Sequence, residues 1–99
     1  MTKRVPLSES ELSAALKELP GWAIENGKLS KTYRFSDFVA AWAFMSAAAL
    51  HVQQLDHHPE WFNVYSTVRV DLVTHDAGGI TARDVELAGR MESVAGRAG

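Results

Sequence analysis

The sequence predicts an α+β layer fold, with helices packed on one face of an antiparallel sheet. Three observations carry this. Segments of helical period lie near the start, the middle and the end of the chain. Asn26-Gly27, the strongest short hairpin signal, separates two short strand-like runs. A period-two run of apolar residues follows the middle helix. The chain has 99 residues and no repeat or low-complexity linker, so residues 1–99 read as a single domain.

The first helix is expected over Glu9–Leu19. Ser8 and Glu11 form a capping box, and Leu7 and Leu12 are spaced for a hydrophobic staple. Leu12, Ala15, Leu16 and Leu19 share one face, and Pro20-Gly21 stops the helix. Trp22 and Ile24 then alternate on one strand face; Leu29, Lys31, Tyr33 and Phe35 share a face on the return strand. Ser36 is the expected cap of a long helix running to about Gln54. Phe38, Trp42, Met45, Ala49 and Val52 form its expected inward stripe. Six alanines between Ala40 and Ala49 keep this helix thin. That suits either plain helix propensity or burial on two faces, which implies a subunit interface.

From Phe62 to Thr74 the pattern sets Phe62, Val64, Val68, Val70 and Leu72 against Asn63, Arg69 and Asp71. Thirteen residues is long for one strand, so a bend near Ser66-Thr67 is expected. Asp76-Ala77-Gly78-Gly79 reads as a loop. Thr81 caps a final helix to about Val94, with Val85, Leu87, Ala88 and Met91 inward, and Ala95 to Gly99 fray.

Composition excludes several classes. There are no cysteines, hence no disulfide scaffold, thiol nucleophile or thiolate metal site. A net charge of −2 argues against a nucleic-acid binder. Met1 to Pro6 show no apolar leader run, and Phe38 to Leu50 is too short to span a bilayer. The expectation is a soluble cytoplasmic domain without nucleic-acid or membrane partners.

The chemistry concentrates in Asp56-His57-His58-Pro59-Glu60-Trp61. Pro59 pushes His58 out of the α region, so the long helix ends there. Two imidazoles then sit at a helix C-terminus, where the dipole favours a cation. Imidazole both gives and takes protons near neutrality. His75 ends the period-two segment just before a glycine-bearing loop. If that end lies near the helix end, three imidazoles converge. The blander readings are surface histidines or a zinc site; adjacent ligands and the lack of a His-x-x-x-His pair disfavour zinc. His51 reads as structural. Asp84 reads as a first-turn capping carboxylate, and Trp61 as core or as the wall of a flat aromatic ligand.

The run Asp56 to Tyr65, then Thr74-His75-Asp76-Ala77-Gly78-Gly79-Ile80-Thr81 with Asp84, resembles the signature of the pterin-4a-carbinolamine dehydratase family. That family is also known as the dimerization cofactor of a hepatocyte homeodomain transcription factor. Leu19-Pro20-Gly21-Trp22 and the Phe35 to Phe38 helix start extend the likeness almost end to end.

The resemblance implies a four-stranded antiparallel sheet with three helices on one face, in the order α-β-β-α-β-β-α. It implies dimers joined sheet edge to edge, and tetramers formed through the long helix. It implies a hydro-lyase that converts 4a-hydroxytetrahydropterin to quinonoid dihydropterin and water, in tetrahydropterin recycling beside an aromatic amino acid hydroxylase. No metal, nicotinamide or flavin is required, since no electrons leave the substrate. The family's active-site histidines fall on His57, His58 and His75; its binding-site neighbours fall on Asp56 and Trp61, and its late aspartate on Asp84. His57 and His75 then form the acid/base pair, with the assignment open, and His58 orients the pterin. One position departs: Gln53 stands where the family usually has a glutamate. Asp56 and Gln53 would hold the histidines or pair with ring N–H donors. The alternative is a non-enzymatic dimerisation, assembly or transcriptional cofactor module on the same fold.

Overall fold

The computed structural model describes residues 5–98; the readings made on Met1–Arg4 and on Gly99 lie outside these residues. Helix α1 (Glu9–Lys17) leads into strands β1 (Ala23–Glu25) and β2 (Lys28–Arg34). Helix α2 (Phe38–Leu55) follows, then β3 (Glu60–Val64), β4 (Thr67–Leu72), a single 3₁₀ turn (His75–Ala77) and α3 (Ala82–Ala98). The four strands form one antiparallel sheet in the order β1-β2-β4-β3. The order of elements and the α+β class are those the sequence predicts.

Local chemistry explains the boundaries. Ser8 and Glu11 close the expected capping box on α1. Asn26 (φ 53°) and Gly27 (φ 74°) both take positive φ, which a tight type I′ hairpin requires. The cap of α2 is Asp37, one residue later than expected: its carboxylate accepts from the Ala40 backbone N–H at 2.8 Å. The last helix runs on to Ala98, past the expected end at Val94.

Two predicted faces are turned from where the sequence puts them, although on α2 Val52 is buried and Met45 packs against the core as expected. On α2 the buried residues are Ala41, Phe44, Ala48 and Val52, whereas Phe38 and Trp42 point outward. Trp42 is 56% exposed and Phe44 is 0% exposed, so the sheet-facing stripe is the alanine-rich one. The helix is apolar all round, and periodicity alone does not say which side the sheet takes. By length and composition α2 also reaches the minimum for a membrane span. Here one side of it closes over the sheet, and the other carries Phe38, Val39, Trp42 and Leu50.

The second inversion lies in β3. The bend is a two-residue turn at Tyr65-Ser66, with Tyr65 at φ 49°. Such a turn puts Val64 opposite Thr67 and Phe62 opposite Arg69. Parity therefore flips across the turn. Phe62 and Val64 share the outer face with Arg69, while Trp61 and Asn63 lie opposite Val70 and Val68.

The core lies between the sheet's inner face and the helix pair. Leu29, Tyr33, Val68, Val70 and Leu72 meet Phe44 and Ala48 of α2 and Leu87, Ala88 and Met91 of α3. One polar cluster is folded into it. Glu92 Oε2 accepts from Trp22 Nε1 (3.0 Å), Lys31 Nζ (2.7 Å) and the Tyr33 hydroxyl. Burial pushes Glu92 upward, but the hydrogen bonds from Lys31, Tyr33 and Trp22 outweigh it and hold the carboxyl below its ordinary range. Burial, and then the bond to Glu92, push the Tyr33 phenol well above its ordinary range.

Candidate active site

The end of α2 sets the first wall of the site. Asp56 adopts the left-handed conformation at φ 50°, ψ 47°. The Asp56 N–H donates to the Gln53 carbonyl and the His57 N–H to the Val52 carbonyl, both at 3.2 Å. This is a Schellman ending with aspartate where glycine is usual, and Asp is among the residues that tolerate it. The reversal buries the His57 ring beneath α2, towards the start of α3.

There His57 Nε2 meets Asp84 Oδ1 at 2.5 Å. Asp84 is fully buried. Its other oxygen, Oδ2, accepts from the Thr81 backbone N–H (2.9 Å) and from the Thr74 hydroxyl (2.8 Å). Thr81 Oγ1 lies 2.8 Å from Thr74 Oγ1 and accepts from the Arg83 N–H. The polarity of the chain is then fixed. Thr74 donates to Asp84, so Thr81 donates to Thr74, and the remaining carboxylate oxygen accepts from His57. His57 carries its proton on Nε2. Its Nδ1 has no partner among the described residues, and no buried side-chain nitrogen or oxygen among them is left unpaired. Nδ1 therefore reaches solvent.

His57 borders an open cleft of ≈ 220 Å³, lined also by Asp56, His58, Val73, Thr74, His75, Asp76 and Arg83. The volume lies below the roughly 300–1,000 Å³ usual for ligand pockets. The cleft brings His57, His58, His75 and Asp56 together. His58 is exposed, with Nε2 3.9 Å from Asp56 Oδ1. His75 opens the 3₁₀ turn after β4 and is exposed; its Nε2 lies 2.9 Å from Glu60 Oε2. Among the described residues, no group of three or more His, Cys, Asp or Glu is arranged to hold a metal ion.

Three residues expected at the site sit elsewhere. Asp84 does not line the cleft; it lies behind His57, where its carboxylate also accepts from the Thr81 backbone N–H at the start of α3. Trp61 faces a separate apolar groove with Trp42, Met45, Ser46 and Ala49, because strand alternation turns it under α2. Gln53 is exposed on α2 and contributes its backbone carbonyl to the helix end, with its side chain outside the cleft lining. His51, read as structural, stands outside the cleft with Arg90 Nη1 of α3 3.3 Å from its Nδ1.

Two contributors carried no assigned role in the sequence. Arg83 Nη2 donates to the carbonyls of Leu55 and Asp56, both at 2.8 Å, and so ties α3 to the end of α2. The only sequence hint was the set of orphan carbonyls that every helix end leaves. Thr74 hides in the hydrogen-bond chain, and its position in the sequence says nothing of that.

The pterin 4 alpha carbinolamine dehydratase model matches residues 5–94. The chain belongs to that family. Among its relatives, a Solibacter usitatus protein named provisionally as a pterin-4-alpha-carbinolamine dehydratase is 53% identical over 89 residues, covering 90% of this chain and 94% of that one. A Rhodopseudomonas palustris protein with the same provisional name is 50% identical over 97 residues, covering 96% and 94%. A Brucella melitensis crystal structure, described as a transcriptional coactivator/pterin dehydratase, superposes with a TM-score of 0.87 at 43% identity, covering 91% of this chain and 98% of that one. In this member of the dehydratase family, the cleft between α2, β4 and α3 is the candidate active site.

Proposed function

We propose that this chain dehydrates a 4a-hydroxytetrahydropterin to the quinonoid dihydropterin. Hydroxide leaves C4a poorly and water leaves well. The reaction needs an acid at the C4a oxygen and a base at N5. The observation that carries this reading is the buried His57–Asp84 pair at the wall of a cleft that His57 lines together with His58 and His75. A neutral His57 donating from Nε2 offers a lone pair at Nδ1, which suits the base. His75 then serves as the acid, and His58 with Asp56 orients the pterin. Positioned acid–base groups give ~10²–10⁴-fold. On this reading the chain acts in reduced-pterin recycling after a pterin-dependent aromatic hydroxylation, and we take its compartment to be the cytoplasm. The test is a spectroscopic assay for the quinonoid product: His57→Ala and His75→Ala should each lose most of the turnover while staying folded. Full turnover in both would remove the mechanism.

A second reading has its own observation. Phe38, Val39, Trp42 and Leu50 leave an apolar face on α2 without a cover. A homodimer or homotetramer, or a partner protein, would bury it. Trp42→Asp should then reduce the particle size in light scattering and leave turnover per chain intact. An unchanged particle size would remove α2 as the assembly face.

A further inference from the structure

His75 is held from outside the cleft. Glu60, the first residue of β3, presents Oε2 to His75 Nε2 at 2.9 Å and Oε1 to Lys28 Nζ at 2.6 Å. Glu60 does not line the cleft; His75 does. The three residues meet because of the strand order. Ser30 on β2, Asp71 on β4 and Glu60 on β3 lie in one row across the sheet. Lys28, two residues before Ser30, shares their outer face and reaches past the end of β4. That is the end where the chain leaves β4 for His75.

We propose that Glu60 is a positioning residue for His75, and that Lys28 tempers its hold on the ring. This rests on the reading of His75 as part of the dehydratase site. One carboxylate oxygen fixes the Nε2–H side of the ring, which leaves Nδ1 for the cleft. The other oxygen is shared with an ammonium. The Lys28 hydrogen bond, and after it the His75 hydrogen bond, hold Glu60 below the ordinary carboxylate range, so Glu60 keeps its charge beside the ring. The carboxylate favours the imidazolium, and the ammonium behind it works against that. The other charged or titratable groups facing His75 are Asp71 beside Lys28, Asp76 on its own turn, and Asp56, His57, His58 and Arg83 across the cleft. Glu60 and Lys28 are partly exposed, so their replacement spares the core.

The test is an NMR titration of the His75 ring in the wild-type protein, Glu60→Gln and Lys28→Met. Loss of the carboxylate charge should move the ring's midpoint to lower pH. Loss of the ammonium should move it to higher pH. A purely structural role predicts no such opposition. Failure of either variant to move in its stated direction overturns the proposal. In parallel, Glu60→Gln should lower kcat more than it alters KM, with the His75 limb of the pH–rate profile displaced the same way as the ring. If both midpoints move as stated and the wild-type protein forms no quinonoid product, the Glu60–Lys28 hold on the ring stands and the dehydratase reading falls.

Discussion

Asp84→Asn separates the chemistry of the buried pair from its structural role. Asp84 serves three donors: Thr81 N–H and Thr74 O–H on one oxygen, and His57 Nε2 on the other. An asparagine carbonyl at the Oδ2 position keeps both threonine bonds, so the start of α3 stays capped. The amide NH₂ must then face His57. Two donors cannot face each other, so the ring proton moves from Nε2 to Nδ1. The nitrogen in the cleft turns from acceptor to donor, and the base is lost by a change of tautomer. The expected loss in kcat is ~10²–10⁴-fold, or about 2.7–5.4 kcal/mol at 1.36 kcal/mol per decade. The stability change is the loss of the charge that strengthens these bonds, on the order of 1.5–3 kcal/mol. The assay pairs quinonoid formation with urea unfolding, and ¹⁵N shifts of the His57 ring report the tautomer. Turnover within about threefold of wild type, with the proton shown to sit on Nδ1, would refute the base assignment, since the loss expected is far larger.

Glu92→Gln removes the charge that gathers Trp22, Lys31 and Tyr33. It should destabilise the fold by about 1.5–3 kcal/mol in urea unfolding. Because the Glu92 carboxyl is held below its ordinary range, its contribution is complete above the unfolded-state value and fades as pH falls through the folded-state value. The wild type should therefore lose more stability than Glu92→Gln on acidification. Gly27→Ala places a side chain at φ 74° with open space around its Cβ. Its cost is purely conformational, about 1–2 kcal/mol of unfolding free energy; a neutral result would mean that the Asn26-Gly27 turn relaxes.

What the sequence made legible was local. The Ser8–Glu11 box, the Asn26-Gly27 turn and the helix stop before Pro59 each depend on residues within a few positions of one another. What it hid was set by tertiary choice. Helix α2 offers an apolar surface all round, and only the sheet decides that Phe44 goes in and Trp42 out. Nothing in a tyrosine announces the positive φ of Tyr65, so the parity flip in β3 was invisible. Trp61 follows from that flip: once Phe62 is outward, Trp61 turns under α2 and away from the cleft. Asp84 was half legible. Its capping role is a matter of three residues, but its bond to His57 spans 27.

The two histidine–carboxylate pairs in this cleft are not equivalent, and the difference supports the division of labour proposed above. Asp84 is sealed from solvent and held by a hydrogen-bond chain whose polarity is fixed at each link. These contacts hold Asp84 in one orientation, so in the proposed mechanism the His57 ring keeps one geometry as it takes up a proton at Nδ1. A base that receives a proton from a fixed ring nitrogen gains from that rigidity, because the acceptor stays aligned through the reaction. Glu60 is partly exposed, and Lys28 holds its other oxygen. In the proposed mechanism the exposed His75 exchanges its proton with bulk water after delivering one to the leaving hydroxyl. Each turnover leaves a proton on the base and takes one from the acid, so both rings must exchange with water; the exposed His75 ring does so directly.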